Sequence, residues 1–240
     1  MGRKSAKIAT RKGAADKARG QSFTRALKDV FIASKGGGPD PSTNFLLKVA
    51  VERCKKLNVP KDNIEKAIKK GQGSDGIGYE DVNYEGYGLG GIAVFVEASS
   101  NNGTRTVGNV RSYFNKCKGS LGVSGSLEFI FERKARFYIP AEGVEEDDLT
   151  LHLIDAGAEE VEKEEETFEV FGPVDAFGSI QEKLQEINVT PDEAALVRTP
   201  VSYKNVNDQE TLKQFNKLIG LLEEDEDVVT VYHNLELQEG

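Results

Sequence analysis

The sequence predicts a multidomain α and α+β protein: a helical N-terminal domain followed by two α+β domains, the last ferredoxin-like and inserted into the middle one. Three observations predict this. The hydrophobic period changes from about 3.6 to about 2 just after Gly76. Between residues 135 and 204 the elements run βαββαβ, the split βαβ order. A closing helix and strand have no partners of their own, and the ββαβ unit before Pro140 lacks an αβ to complete the same pattern. Element counting therefore gives a basic helical domain over 1–76, an α+β domain of 77–134 plus 205–240, and an acidic ferredoxin-like insert over 135–204.

The helical part is read from its apolar stripes. Phe23, Leu27, Val30 and Phe31 share one face. "KGGGPDP" (35–41) ends that helix, because glycine supports a left-handed cap and proline cannot continue. A second helix from about Ser42 to Leu57 turns Leu46, Val49, Ala50 and Cys54 inward and leaves Lys48, Arg53, Lys55 and Lys56 mainly to other faces. "NVP" breaks it, and a third runs from about Lys61 to Lys70 with Ile64, Ala67 and Ile68 inward. Residues 3–19 have helical character but little to bury, so they are expected to be mobile or to order on a partner.

Beyond Gly76, "YEDVNYEGYG" is strand-like, "LGG" a turn, and "IAVFVEAS" a strand apolar enough to be buried. A helix follows with Val107, Val110, Phe114 and Cys117 on one face, then "SLEFIFER" as a third strand. The insert reads "RFYIP" strand, "EEDDLTLHLIDAG" helix, "EEVEKE" and "TFEVFGP" strands, "FGSIQEKLQEI" helix and "ALVRTPVSY" strand. Asn207 with Glu210 marks a helix start. Leu212, Phe215, Leu218, Ile219 and Leu222 form its stripe, and "VVTVYHNL" is the last strand.

The net charge of −9 conceals a strong segregation. Residues 1–72 carry 18 Lys+Arg against 6 Asp+Glu, residues 73–141 balance, and residues 142–240 carry 6 against 27. A head of +12 on an acidic body reads as a nucleic-acid-facing part joined to something that is not. Its candidate phosphate contacts are Arg3, Lys4, Lys7, Arg11, Lys12, Lys17, Arg19, Arg25, Lys28 and Lys35, with Lys69 and Lys70 at the end of the third helix. Each cation that meets a phosphate releases counterions and adds affinity without reading sequence. The acid run from Glu142 to Glu166 has no ligand spacing and reads as a solvated face, which also repels nucleic acid from that domain.

Other chemistries find no support. Gly71, Gly73 and Gly76 spell G-x-G-x-x-G, but a helix precedes them and a strand follows, the reverse of a dinucleotide loop. Cys54 and Cys117 are far apart on helix faces and read as core residues; His152 and His233 lack any supporting motif. No catalytic residue, cofactor, metal or small-molecule substrate is expected. No apolar run approaches the ~18 residues of a membrane span, and the N-terminus has no apolar signal region, so a cytoplasmic protein without a membrane partner is expected.

Four blocks carry a family resemblance: "RKGAADKARGQSFTR" (11–25), "VPKDNIEKAIKKG" (59–71), "YEGYGLGG" (84–91) and "NNGTRTVGNVRSYFNKCKGSLGVSGSLEFIFERK" (101–134). They are long, ordered and correctly spaced, and the chain resembles the YebC/PmpR family over essentially its whole length. Ala6, Thr10 and Leu89 depart from residues common in that family. The resemblance implies a helical domain and two α+β domains, the third inserted in the second, and no enzymatic activity. It implies a DNA-binding transcriptional regulator or, alternatively, a translation factor associated with the ribosome or ribosomal RNA, where stalling on proline-rich sequence is relieved. On residue pattern alone Tyr84 and Tyr87 belong to a tight hairpin and Arg105 to a helix start; the resemblance makes these three a second-tier contact surface.

Overall fold

The computed structural model describes residues 22–73 and 79–236. They form two compact units: the described part of Met1–Gly76 with Ala135–Ala195, and the described part of Ile77–Lys134 with Leu196–Gly240. The segment 3–19, expected to be helical, lies outside the described residues.

The first unit begins with three helices, α1 (22–37), α2 (Phe45–Lys56) and α3 (Lys61–Gly71). Ala26, Val30, Ala33, Leu47, Ala50, Cys54, Val59 and Ile64 form their core. Asn44 joins α1 to α2. Its side-chain oxygen caps α2 at the Leu47 N–H (3.0 Å), while Nδ2 donates to the Ala33 and Gly38 carbonyls at 2.7 and 2.8 Å. Ser34 Oγ donates to the Ile68 carbonyl at 2.9 Å, tying α1 to α3. Gly71 lies against α1 so closely that a Cβ there would sit 2.7 Å from the Phe31 carbonyl.

The insert runs β4 (Phe131–Pro140), α5 (Glu146–Asp155), β5 (Glu160–Glu164), β6 (Thr167–Pro173), α6 (Phe177–Glu186) and β7 (Glu193–Pro200), numbered after the three strands and one helix that precede them. Its sheet order is β5-β6-β4-β7, with the first and last strands of the βαββαβ run adjacent, as a ferredoxin-like fold requires. Phe137 and Ile139 of β4, Leu149 and Leu153 of α5, Phe168 and Val170 of β6, and Ile180 and Leu184 of α6 are fully buried between sheet and helices.

The second unit holds β1 (Glu80–Tyr87), β2 (Ala93–Ser100), α4 (Gly103–Lys116), β3 (Ser120–Leu121), α7 (Gln209–Glu224) and β8 (Val228–His233). Its sheet order is β3-β1-β2-β8, so the closing strand pairs with β2, as the element count anticipated. β2 is buried on both faces. Val94, Val96 and Ala98 meet α4 and α7 through Val110, Phe114, Phe215 and Leu218, and Phe95 meets Leu127 and Phe131 on the other side.

Three expectations are corrected. "SLEFIFER" is no third strand: residues 124–130 are turns, β3 has only two residues, and β4 runs unbroken from Phe131 to Pro140 across the expected start of the insert. The cause is Glu85, 2% exposed on β1, whose carboxylate accepts the Gly125 and Leu127 N–H groups at 2.7 and 2.6 Å and so curls the segment over the sheet. The cap of α7 is Asp208, bonded to the Thr211 N–H at 2.8 Å, one residue after the expected Asn207. The strand expected over "ALVRTPVSY" starts two residues earlier and ends at Pro200.

The glycines of "YEGYGLGG" are explained by packing. A Cβ on Gly86 would lie 2.6 Å from the Ser120 carbonyl and 2.8 Å from the Phe114 ring, and Gly90 has φ +81° beside Thr211. Gly86→Ala is therefore expected to destabilise the chain by roughly 1–3 kcal/mol through overpacking against backbone, measured by urea unfolding. An unchanged midpoint would refute the packing role.

Candidate nucleic-acid interface

The structure brings part of the predicted basic set together. Arg3, Lys4, Lys7, Arg11, Lys12, Lys17 and Arg19 lie outside the described residues. Arg25 is exposed and Lys28 half-buried on α1. At the C-terminal end of α1, Lys35 Nζ stands 6.0 Å from the Phe31 ring centroid, and Lys70 Nζ of α3 stands 5.5 Å from the same ring. Lys69 precedes Lys70 in the last turn of α3 and is exposed. The Ser34 bond and the close approach at Gly71 hold the two helices in this register. The ends of α1 and α3 thus present one basic ridge on a buried aromatic, and the carbonyl ends of both helices favour cations there.

The last turn of α2 is basic too, but its cations face carboxylates. Arg53 donates to Asp29 at 3.0 Å and to Glu193 at 2.5 Å; Glu193 also pairs with Arg136 and Lys56 pairs with Asp192. Lys55 pairs with Glu52 at 2.7 Å. The Arg136 guanidinium lies 4.6 Å from the Tyr138 ring centroid. Burial pushes the Tyr138 phenol up to about 12, helped by its bond to Glu169. Asp29 is pushed up to about 6, first by burial and then by Glu193 beside it, against the pull of Arg53. Sequence patterning places Arg53 and Lys56 off the apolar face of α2. Two of the acids that meet them, Asp192 and Glu193, lie 136 and 140 positions away, and no local signal announces them.

The second-tier residues separate. Tyr84 is corrected: it is only 8% exposed, packed in the core, with its phenol raised by burial, and cannot offer a stacking face. Alternation fails at the end of β1, where Tyr84, Glu85 and Gly86 are all buried. Tyr87 reaches the surface at 36% exposure. Arg105, in the first turn of α4, donates to both oxygens of Asp227 at 2.9 and 2.8 Å. Asp227 also accepts from Thr106 Oγ1 at 2.7 Å. Burial opposes its ionisation, but these bonds outweigh that and hold the carboxyl below its ordinary value. Nearby Asp225 accepts from the Tyr113 hydroxyl at 2.9 Å and from Asn109 at 3.2 Å.

The remaining titratable groups sit as core or surface side chains. His152 is exposed on α5, and His233 meets Phe215 edge-on with its pKa lowered by burial. Cys54 and Cys117 are buried free thiols, and burial pushes Cys54 up to about 11. Among the described residues no group of three or more His, Cys, Asp or Glu could hold a metal ion, and no helix is long and apolar enough to cross a membrane. α3 ends at Gly71 and β1 begins at Glu80, the helix-then-strand context that removes the G-x-G-x-x-G from dinucleotide binding.

A basic helical domain followed by two α+β sheets, one built within the chain of the other, defines the class of protein. The chain belongs to the TACO1/YebC family: its residues 3–74 match the TACO1/YebC N-terminal domain and 79–235 match the TACO1/YebC second and third domain. It is 41% identical over 90% of its length to a protein of Flavobacterium psychrophilum, 91% of which is covered. It is 46% identical over 91% to one of Porphyromonas gingivalis, covered to 90%, and both relatives are named probable transcriptional regulatory protein. The crystal structure of a conserved hypothetical protein from Aquifex aeolicus superposes with a TM-score of 0.76 at 39% identity, covering 92% of each chain.

Two outcomes follow from these networks. Arg105→Ala leaves Asp227 buried without its main partner, so the melting temperature should fall by a few degrees; unchanged stability would return Arg105 to the candidate surface. For Asp29, the folded carboxyl takes up its proton near pH about 6, whereas the unfolded one waits until about 3.8. The folded state binds more protons in that window, so this group adds stability as pH falls from about 7 to about 5. Asp29→Asn should remove that contribution, read as a urea midpoint that gains less than the parent's between pH about 7 and about 5.

Proposed function

We propose that this protein is a non-enzymatic DNA-binding regulator of transcription acting in the cytoplasm, with a three-domain division at 76/77, 134/135 and 204/205. The observation that carries the reading is the segregation of charge: a head of +12, part of it gathered at the ends of α1 and α3 around Phe31, on an otherwise acidic chain. The names of the relatives agree with it. Lys35, Lys69 and Lys70, together with Arg25, Lys28 and the cations from Arg3 to Arg19, would neutralise phosphates and position the protein without reading bases.

Reversal of Lys35, Lys69 and Lys70 to glutamate tests it. Affinity for duplex DNA should fall by more than about tenfold at moderate salt, and the slope of log K against log salt should flatten by about 0.9 for each phosphate no longer neutralised. Unchanged affinity would remove the α1–α3 ridge from the interface. Cosedimentation with ribosomes at low salt, with only weak sequence-blind DNA binding, would replace the DNA reading by one centred on ribosomal RNA.

A further inference from the structure

In the second unit α4 and α7 lie side by side and antiparallel. Asn109 and Tyr113 of α4 meet Asp225 just beyond the end of α7, and Lys118, just beyond the end of α4, stands 4.0 Å from Glu210 in the first turn of α7. Where the end of α4 meets the first part of α7, Lys116, Lys213 and Lys217 are exposed. Lys116 Nζ stands 5.9 Å from the Tyr113 ring centroid. Lys116 and Lys217 both act on the buried Cys117 thiol, pulling its pKa down against the larger upward push of burial, so their ammonium groups flank one point of the seam. Lys213 lies one turn before Lys217, a spacing that sets their Cβ atoms about 5–6 Å apart.

These lysines do not serve the helices that carry them. Among the described residues, none of the three has a carboxylate within ion-pair distance. Of the acids nearby, Asp208 is taken up by the N–H and hydroxyl of Thr211, and Glu210 by Lys118 and Gln214. Like charges at i,i+4 destabilise a helix. The macrodipole favours cations in the last turn, yet α7 has Glu223 and Glu224 there and its lysines earlier. α5 obeys the rule, opening on Glu146, Asp147 and Asp148 and closing on His152. Two of the six Lys+Arg in residues 142–240 thus stand where they repel each other. An anion from outside the chain would relieve that repulsion.

We infer that Lys116, Lys213 and Lys217 form a second phosphate-contacting surface, built on the second unit rather than on the basic head. The inference rests on the nucleic-acid reading above, and the phosphodiester backbone of duplex DNA is the occupant. Charges more than a Debye length away, about 8–10 Å at ordinary salt, are largely screened. A phosphate at the seam therefore meets the three ammonium groups rather than the acidic total of the chain. Lysine acts on phosphate as a point charge, so this surface positions the duplex and reads no bases.

Anisotropy of a DNA duplex of about two helical turns, read across a salt series with the full-length chain, tests this. Lys213→Gln with Lys217→Gln should lower affinity about three- to tenfold and flatten the slope of log K against log salt by about 0.9 for each phosphate no longer neutralised. Lys213→Arg with Lys217→Arg should keep both affinity and slope. Lys163→Gln with Lys183→Gln removes the same charge from the insert and should leave both nearly unchanged. An equal fall in that control would assign the effect to overall charge and overturn the surface. So would undiminished affinity in the Lys213/Lys217 glutamine chain, or a fall with an unchanged slope, the mark of fewer folded molecules rather than fewer phosphate contacts. A parent chain that binds no duplex even at low salt overturns the DNA reading itself, whereas parent binding with an unchanged slope in the glutamine chain overturns only the second surface.

Discussion

The pairing of β4 with β7 is the constraint on which the rest of the architecture depends. β4 carries the chain into the insert and β7 carries it back. Asp192 N–H bonds to the Tyr138 carbonyl and Val201 N–H to the Ile130 carbonyl, so the two strands run antiparallel and the chain leaves beside the point where it entered. A ferredoxin-like unit supplies this arrangement because its first and last strands are neighbours. The host sheet can then be completed by α7 and β8 after a long interruption, with Leu218 and Leu222 closing over the same core as Val110 and Phe114. The pairing also fixes the start of β7, and with it the position of Asp192 and Glu193.

Most of the fold was legible because burial here follows period. The centre of each nominated stripe is buried, Val49, Ala50 and Cys54 on α2, Ile64 on α3, Val110 and Phe114 on α4, and Phe215, Leu218 and Leu222 on α7, while Leu47 takes the buried place expected of Leu46; the six elements of the insert fall in the order read from the sequence. The largest failure has one cause, a buried carboxylate that acts at a distance. "SLEFIFER" has the apolar content of a strand, but Glu85, some forty positions earlier, takes its N–H groups. A glutamate beside a glycine in "YEGYG" gives no hint that it will be buried. Backbone donors satisfy its carboxylate, and without them burial would be costly.

The candidate site was legible as charge and illegible as pairing. Composition alone separates a basic head from an acidic tail, yet it cannot distinguish Lys70, which lies over Phe31, from Lys56, which lies against Asp192. The same blindness applies to "NNGTRT". Arg105 at a helix start looks like a phosphate contact until Asp227, more than a hundred residues on, is found to accept from it with both carboxylate oxygens. The motif glycines follow the same rule: Gly71 and Gly86 are required by the carbonyls they touch.

Segregation of charge along a chain usually serves to keep like with like, so that a basic surface is presented whole. Here the acidic insert folds into one compact unit with the basic head. Contacts between opposite charges at that junction are an expected consequence of attraction, but attraction alone does not choose which cations are covered. Backbone geometry does: Asn44 sets the start of α2, the α2 core sets the face on which Arg53 and Lys56 emerge, and β4–β7 pairing sets the carboxylates opposite them. Lys35 and Lys70 come to the Phe31 ring because the Ser34 bond and the close approach at Gly71 set the end of α1 against the end of α3.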